Sequence, residues 1–378
     1  MKDLINRSKV SAFINRNEEL KFLSNWISRL PESILFLFGP KSSGKTALLN
    51  KWMDEKIIRR HYDIKYINLR KIFMANYRNF LQAFFEIDYS IHKGNVKEKR
   101  EYNLKVFKLT KEVMKGLESN EIDPFIVMEK ELEKILKKKK TPIIIIDELQ
   151  LLDGIYMNGQ KELIKELFNF FVAMTKESHL CHVIIASSDG YFIDRIYNDS
   201  KLIKTSEFFE IDYLEKKDVE YWLNNLQRES QIKNLTLTEN QIDLIWHYFG
   251  GSVWEINNFL SALMDKAEKK LTDDYIQKEA EKKIQTYQVR FQNYLGKHYD
   301  YDLFKAINDL LLQSDHFYEK DLIYQFERKL LKEELGILVQ NNLFSYNPLN
   351  GQYKPQGNSI ALGLKKFCTD LLNFKLPH

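Results

Sequence analysis

The sequence predicts an α/β fold: a five-stranded parallel sheet, followed by a helical lid and a C-terminal winged helix. Three observations predict it. The stretch Gly39-Pro40-Lys41-Ser42-Ser43-Gly44-Lys45-Thr46 separates an apolar run, Ile34–Phe38, from a segment opening at Ala47 that has neither proline nor glycine through Met53. Thr141-Pro142 opens four consecutive isoleucines, Ile143 to Ile146, which end in Asp147-Glu148. From Leu214 onward strand patterns give way to polar helices, and near the end a turn signal, Asn350-Gly351, lies between two short strand-like pieces.

The first observation carries the most chemistry. Strand, glycine-rich loop and helix in that order read as G-x-x-x-x-G-K-T, a phosphate-binding loop. Glycines at both ends let successive backbone N–H groups curl around an anion, and the N-terminus of the next helix adds a favourable dipole. Residues Gly39 to Ala47 are therefore the candidate nucleotide contacts. Lys45 can reach the β- and γ-phosphates, and the Thr46 hydroxyl can ligate Mg²⁺.

The isoleucine run is too uniformly apolar for a half-exposed strand and reads as one buried on both faces of a parallel sheet. Carboxylates at its C-terminal end emerge where open α/β sheets bind ligands. Asp147 is placed to hold the metal's water shell and Glu148 to polarise an attacking water. The two motifs together describe the core of a P-loop NTPase acting on ATP. GTP is disfavoured because no N-K-x-D element occurs: Asn50-Lys51 runs on into Trp52-Met53.

Composition bounds the remaining classes. The chain has 378 residues, enough for two or three domains. Its 57 basic and 53 acidic residues leave a net charge of +4, which argues neither for nor against nucleic acid. Two cysteines, Cys181 and Cys368, make no disulfide framework and stand in no metal-binding spacing. Met1-Lys2-Asp3-Leu4-Ile5-Asn6-Arg7 lacks the apolar block of a signal peptide. No apolar run approaches the ~20 residues that cross a bilayer. A cytoplasmic protein without membrane contact is expected.

In chain order, the first readable element is a helix through Leu20, Leu23, Trp26, Ile27 and Leu30, with Asn15 or Asn17 as its cap. Its start, Phe13-Ile14-Asn15-Arg16-Asn17-Glu18-Glu19-Leu20, reads F-x-x-R-x-x-E-L. With the phosphate loop and the D-E strand end, this segment resembles the opening of archaeal ATPases of the STAND class, relatives of AAA+ proteins. The resemblance implies that the opening segment wraps the adenine, which makes Phe13, Ile14 and Arg16 candidate base contacts. It also implies a lid and winged-helix modules after the ATPase domain. The expected domains are 1–213, 214–285 and 286–378.

Ile64 to Asn68 reads as the second strand, and Leu69-Arg70 matches the family's strand end. Residues 76–128 look largely helical, with Phe80, Phe84 and Phe85 as core. Met128, Leu132, Ile135 and Leu136 form a helical stripe that ends in four lysines, Lys137 to Lys140, a solvated helix end. A further helix is expected over 161–173. His182 to Ser188 reads as the fourth strand. In the resembling family a polar residue at that strand end senses the γ-phosphate, so Ser187 or Ser188 is the candidate here. Phe208 to Ile211 is the fifth strand. The family's P-L-x-G-R signature is absent before it, and Lys204 or Arg195 is left as a candidate cation without a deciding feature.

Phe249-Gly250-Gly251-Ser252-Val253 resembles the G-G-x-P element of the lid, with Val253 in place of proline; a glycine-capped helix joint reads equally well. A charged helix over 266–283 leads to two stripes, Leu303-Phe304-Ile307-Leu311 and Leu322-Ile323-Phe326. The third-helix region carries Lys329, Lys332, Glu333 and Glu334 and no cluster suited to base edges, so DNA contact and a protein-interaction role both stay open.

Three functions are compatible with this reading. One is a nucleotide-controlled switch of the STAND type, acting on a protein partner and hydrolysing ATP slowly until that partner completes the site. Another is a DNA-binding AAA+ protein resembling replication initiators. The last is a structural holder of ADP or ATP, against which the intact Asp147-Glu148 pair argues.

Overall fold

The computed structural model describes residues 12–58, 60–87, 107–157, 159–199, 202–230, 232, 235–264, 271–295 and 301–373, with no side-chain placement for 199 and 371–373. Five strands form the central sheet: β1 (Ile34–Phe38), β2 (Tyr62–Asn68), β3 (Thr141–Asp147), β4 (His182–Ser187) and β5 (Ser206–Glu210). They lie in the order β2-β3-β4-β1-β5, all parallel. The register sets Asn68 beside Asp147, Asp147 beside Ala186, and Phe38 beside Ser187. Every strand thus delivers its last residue to one edge of the sheet.

Helices cover both faces, which is why the inner strands read as unbroken apolar runs. On one side Phe36, Phe38, Ile144, Ile146, Val183 and Ile185 pack against α6 (Leu163–Val172) and the aromatics of α3 (Tyr77–Phe84). On the other, Leu35, Leu37, Ile143, Ile145 and Ile184 pack against α1 (Asn17–Ile27) and α2 (Lys45–Glu55), whose Trp52 is fully buried. The first side also takes in α4 (Lys111–Glu118), α5 (Pro124–Lys137) and α7 (Gly190–Asp199).

A second apolar core holds α8 (Lys216–Asn224), α9 (Glu239–Phe249) and α10 (Val253–Met264), and it takes in Ala12 and Ile14 from the chain's start. A third holds α12 (Tyr301–Leu311), α13 (Arg328–Gln340), α14 (Asn358–Asn373) and a small antiparallel sheet. That sheet runs in the order β6 (Phe317–Tyr318), β8 (Gln352–Pro355), β7 (Phe344–Tyr346), with Gly351 at φ 74° in the turn. The 22-residue helix α11 (Asp273–Tyr294) joins the two: Ile276, Ala280 and Ile284 belong to the second core and Phe291 to the third. The expected boundary at 285/286 falls inside this helix.

The C-terminal unit rests on the sheet domain. Helix α13 lies against α7. Tyr346 stacks on Tyr191 at 4.5 Å between ring centroids, and its carbonyl oxygen fills the space where a side chain at Gly190 would begin. Asn347 donates to Glu210 at the end of β5 at 2.9 Å. Among the described residues no helix is long and apolar enough to cross a membrane.

Several expectations are corrected. In the region 76–128, expected to be largely helical, Phe85–Ile87 and Phe107–Leu109 pair as short parallel strands between the helices, and 88–106 lie outside the described residues. Arg16, rather than Asn15 or Asn17, stands at the start of α1, and Asn15 instead donates to Asp218 at 2.6 Å. The helix expected over 161–173 is preceded by a two-residue hairpin arm, Lys161–Glu162, paired with Tyr156–Met157. The stripe Leu322-Ile323-Phe326 forms consecutive turns, not a helix. Part of the charged helix expected over 266–283, the expected N-terminal segment 1–7, and Ser200 and Lys201 lie outside the described residues.

Candidate functional site

The chain leaves β1 through a loop held open by backbone conformation. Gly39 has φ 147°, Ser42 64° and Gly44 97°, values that an L side chain tolerates poorly. Gly39 is fixed by space as well, since a Cβ there would lie 2.1 Å from the Ile211 carbonyl oxygen. At Gly44 nothing lies within 4 Å of such an atom, so there the positive φ and not space calls for glycine. Helix α2 then begins at Lys45 with its first N–H groups turned back toward the loop.

Lys45 is 7 % exposed. Its ammonium donates to the Gly39 and Pro40 carbonyls at 2.9 and 2.8 Å, so the two leading loop residues position the cation. Burial pulls its pKa down to about 8, against the upward pull of Glu148 and Asp147. Thr46 donates to Asp147 Oδ2 at 2.7 Å. The same oxygen accepts from Asn68 at 3.0 Å and from Tyr66 at 3.2 Å. Burial first, and the Asp147 charge next, push the Tyr66 phenol above its usual range, so it stays a donor. The hydroxyl and carboxylate expected to hold Mg²⁺ therefore lie side by side. Hard oxygen donors so placed fit a small divalent cation that keeps most of its waters.

Glu148 follows with φ 65°, and its N–H donates to the Ala186 carbonyl at 2.9 Å. This left-handed turn swings its side chain out of the sheet edge. Arg70, just past β2, pairs with its carboxylate at 2.9 Å, and Gln150 donates to the other oxygen. Ser187 donates to Gln150 at 3.0 Å and accepts from the Asp189 N–H at 3.1 Å. A continuous polar chain thus runs Arg70–Glu148–Gln150–Ser187.

Of these groups Lys45, Thr46, Arg70 and Glu148 line a cavity of about 480 Å³, while Gly39, Pro40 and Asp147 do not. Its lining takes in the loop from Lys41 to Ala47, Arg70, Glu148 and Ser188, and also Phe13, Ile14 and residues of helix α10. Of the two candidate serines, Ser188 faces the cavity while Ser187 is buried beneath it. Phe13 carries the Lys51 ammonium 5.0 Å from its ring centre. Arg16 also borders the cavity, but its guanidinium donates to the Ser43 carbonyl at 3.0 Å and the Asp212 carbonyl at 2.6 Å. It straps the loop to the segment after β5. Neither Arg195 nor Lys204 lines this space; Arg195 pairs with Asp153 at 2.7 Å.

The sequence reading gave no role to Tyr66, Asn68, Arg70 or Gln150. It also gave none to Gln356, whose side-chain oxygen accepts the Lys41 N–H at 2.8 Å, or to Tyr213, which donates to the Lys41 carbonyl at 2.9 Å.

The sequence model of a family of ATPase domains, found predominantly in Archaea, matches residues 13–259. An uncharacterized ATP-binding protein of Methanocaldococcus jannaschii is 33 % identical over 352 residues, covering 91 % of each chain. Another from the same organism is 32 % identical, covering 91 % of this chain and 95 % of its own. Among solved structures, a Walker-type ATPase of Pyrococcus abyssi superposes with a TM-score of 0.59 at 15 % identity, over 93 % of this chain and 96 % of that one. The ORC2 protein of Aeropyrum pernix in its ADP form gives 0.51 at 11 % identity, over 96 % of both.

Proposed function

The chain belongs to this family of predominantly archaeal ATPase domains, and on that premise we propose that it binds ATP, hydrolyses it slowly, and uses the bound nucleotide as a switch. ATP lies in the cavity with its phosphates in the loop. Lys45 and the backbone N–H groups of α2 neutralise the phosphate charge. Thr46 and Asp147 hold Mg²⁺, which when bound offsets the charge that develops on the transferred phosphoryl group. Glu148 would orient a water toward the γ-phosphorus and accept its proton; the bond from that phosphorus to the β–γ bridging oxygen breaks, the oxygen leaves with ADP, and phosphate forms. Its pairing with Arg70 supports a resting state in which the carboxylate is held from that task.

The observation that carries the switch is the hydrogen bond from Lys41 to Gln356. Gln356 is 7 % exposed and belongs to the C-terminal unit, which we read as a winged helix spanning 286–378, after an ATPase domain over 1–213 and a lid over 214–285. A side chain of that unit thus shares the loop in which phosphates would sit. The wing hairpin and helix α13, the faces a winged helix uses on DNA, are partly covered by α7 and the loop. Release of the unit on a change of nucleotide would free them for a partner, and a protein partner is the reading favoured by the mixed charge of α13. A cytoplasmic setting goes with this reading.

The test is calorimetric titration with ATP and Mg²⁺. The parent should bind, and ATP at about a hundred times its Kd should add ~2.7 kcal/mol of stability. Lys45→Ala should lose both effects; equal binding by parent and variant would remove the site from this loop.

A further inference from the structure

On helix α10 the residues Ile256, Phe259, Leu260 and Leu263 are buried in the core of the lid. Trp254, Asn257, Asn258 and Ser261, spaced i, i+3, i+4 and i+7, fall on another face of the same helix and all border the cavity. Trp254 is 58 % exposed although it is the largest residue type. An indole of that size left uncovered beside a cavity is itself informative. Among the described residues, neither the Asn257 nor the Asn258 amide has a hydrogen-bond partner, while Ser261 donates to the Asn257 carbonyl at 2.9 Å.

The charged groups of the lining are not shared evenly between its parts. Its cations, Arg16, Lys41, Lys45 and Arg70, all come from the sheet domain. The α10 stripe contributes none. It offers an indole and two free amides, and the apolar Ile14 and Phe13 also line the cavity. Such a surface suits an uncharged heteroaromatic ring with donors and acceptors at its edge, and not a phosphate.

We infer that Trp254 stacks on the base of the nucleotide and that Asn257 and Asn258 read its edge, so that the lid, and not only the opening segment 13–16, sets base specificity. This rests on the nucleotide reading above. Base recognition and phosphate binding then reside on different parts of the chain, and closing the ligand between them draws α10 toward the loop.

The experiment compares binding of ATP and of inorganic tripolyphosphate by the parent, Trp254→Ala and Trp254→Phe. Trp254 is exposed, so its replacement should leave folding intact. The parent should bind ATP more tightly than tripolyphosphate. Trp254→Ala should lose about ten- to hundredfold for ATP and nothing for tripolyphosphate, and Trp254→Phe should recover most of the loss. Joint replacement of Asn257 and Asn258 by Ala should narrow the preference for ATP over CTP and GTP. Unchanged ATP binding in Trp254→Ala, or an equal loss for both probes, overturns the inference and leaves the phosphate site standing. Failure of the parent to bind either probe overturns the nucleotide reading and this inference with it.

Discussion

Gln356 accepts the backbone N–H of Lys41 at 2.8 Å across 315 positions of sequence. Its own amide donates to the Phe344 carbonyl at 3.3 Å, which ties the acceptor to the wing hairpin. A buried glutamine that spends both ends of its amide in this way fixes hairpin and loop relative to each other. With Tyr213 on the Lys41 carbonyl and Arg16 on the Ser43 carbonyl, the loop is strapped from three separate parts of the chain.

Docking of the C-terminal unit should be separable from folding. In Gly190→Ala the new methyl would meet the Tyr346 carbonyl at 1.8 Å, while alanine favours helix α7 by about 1 kcal/mol over glycine. The expected outcome is an unchanged far-ultraviolet spectrum with a larger radius of gyration in small-angle scattering. An unaltered radius would mean that this contact does not hold the unit in place.

Turnover should depend on Glu148 and be restrained by Arg70. Glu148→Gln should keep ATP binding while slowing hydrolysis by about two orders of magnitude. Arg70→Ala should speed hydrolysis, because it frees the carboxylate from a pair that is half exposed on the arginine side and so worth ~1 kcal/mol or less. Single-turnover phosphate release measures both. A slower Arg70→Ala enzyme would make the arginine a phosphate ligand instead of a restraint.

Stability should fall on mild acidification through His182. Among the described residues neither ring nitrogen has a hydrogen-bond partner of good geometry. Burial lowers its pKa to about 4, with the nearby Ile27 carbonyl offsetting part of the effect. The unfolded chain protonates near 6.5, so it binds more protons than the folded one between these values, and stability is lost as pH drops through that window. From pH 7 to 5 the loss is about 2 kcal/mol. Urea denaturation at both values checks it: His182→Leu should remove most of this dependence, and a parent-like slope in that variant would assign it elsewhere.

The loop and the Asp147-Glu148 strand end were legible because each is a local pattern with local physics. Tyr66, Asn68 and Arg70 were not, because their roles come from the placement of β2 beside β3, and strand order leaves no mark in a single strand. Gln356 depends on a contact across nearly the whole chain. The α10 stripe was readable in principle: apolar 256, 259, 260 and 263 alternate with 254, 257, 258 and 261. A tryptophan at helical spacing, however, reads as core by default. Phe80, Phe84 and Phe85 read as core and all three are buried, although Phe85 opens a short strand one residue past the end of α3.

Hydrogen exchange by mass spectrometry, with and without ATP and Mg²⁺, addresses the link between loop and wing in one measurement. ATP should slow exchange in residues 41–46 and change exchange in the hairpin over 344–356. In Gln356→Leu the loop should still be protected while the hairpin no longer responds. A loop protected by ATP beside a hairpin whose exchange is the same in all four samples would contradict the switch.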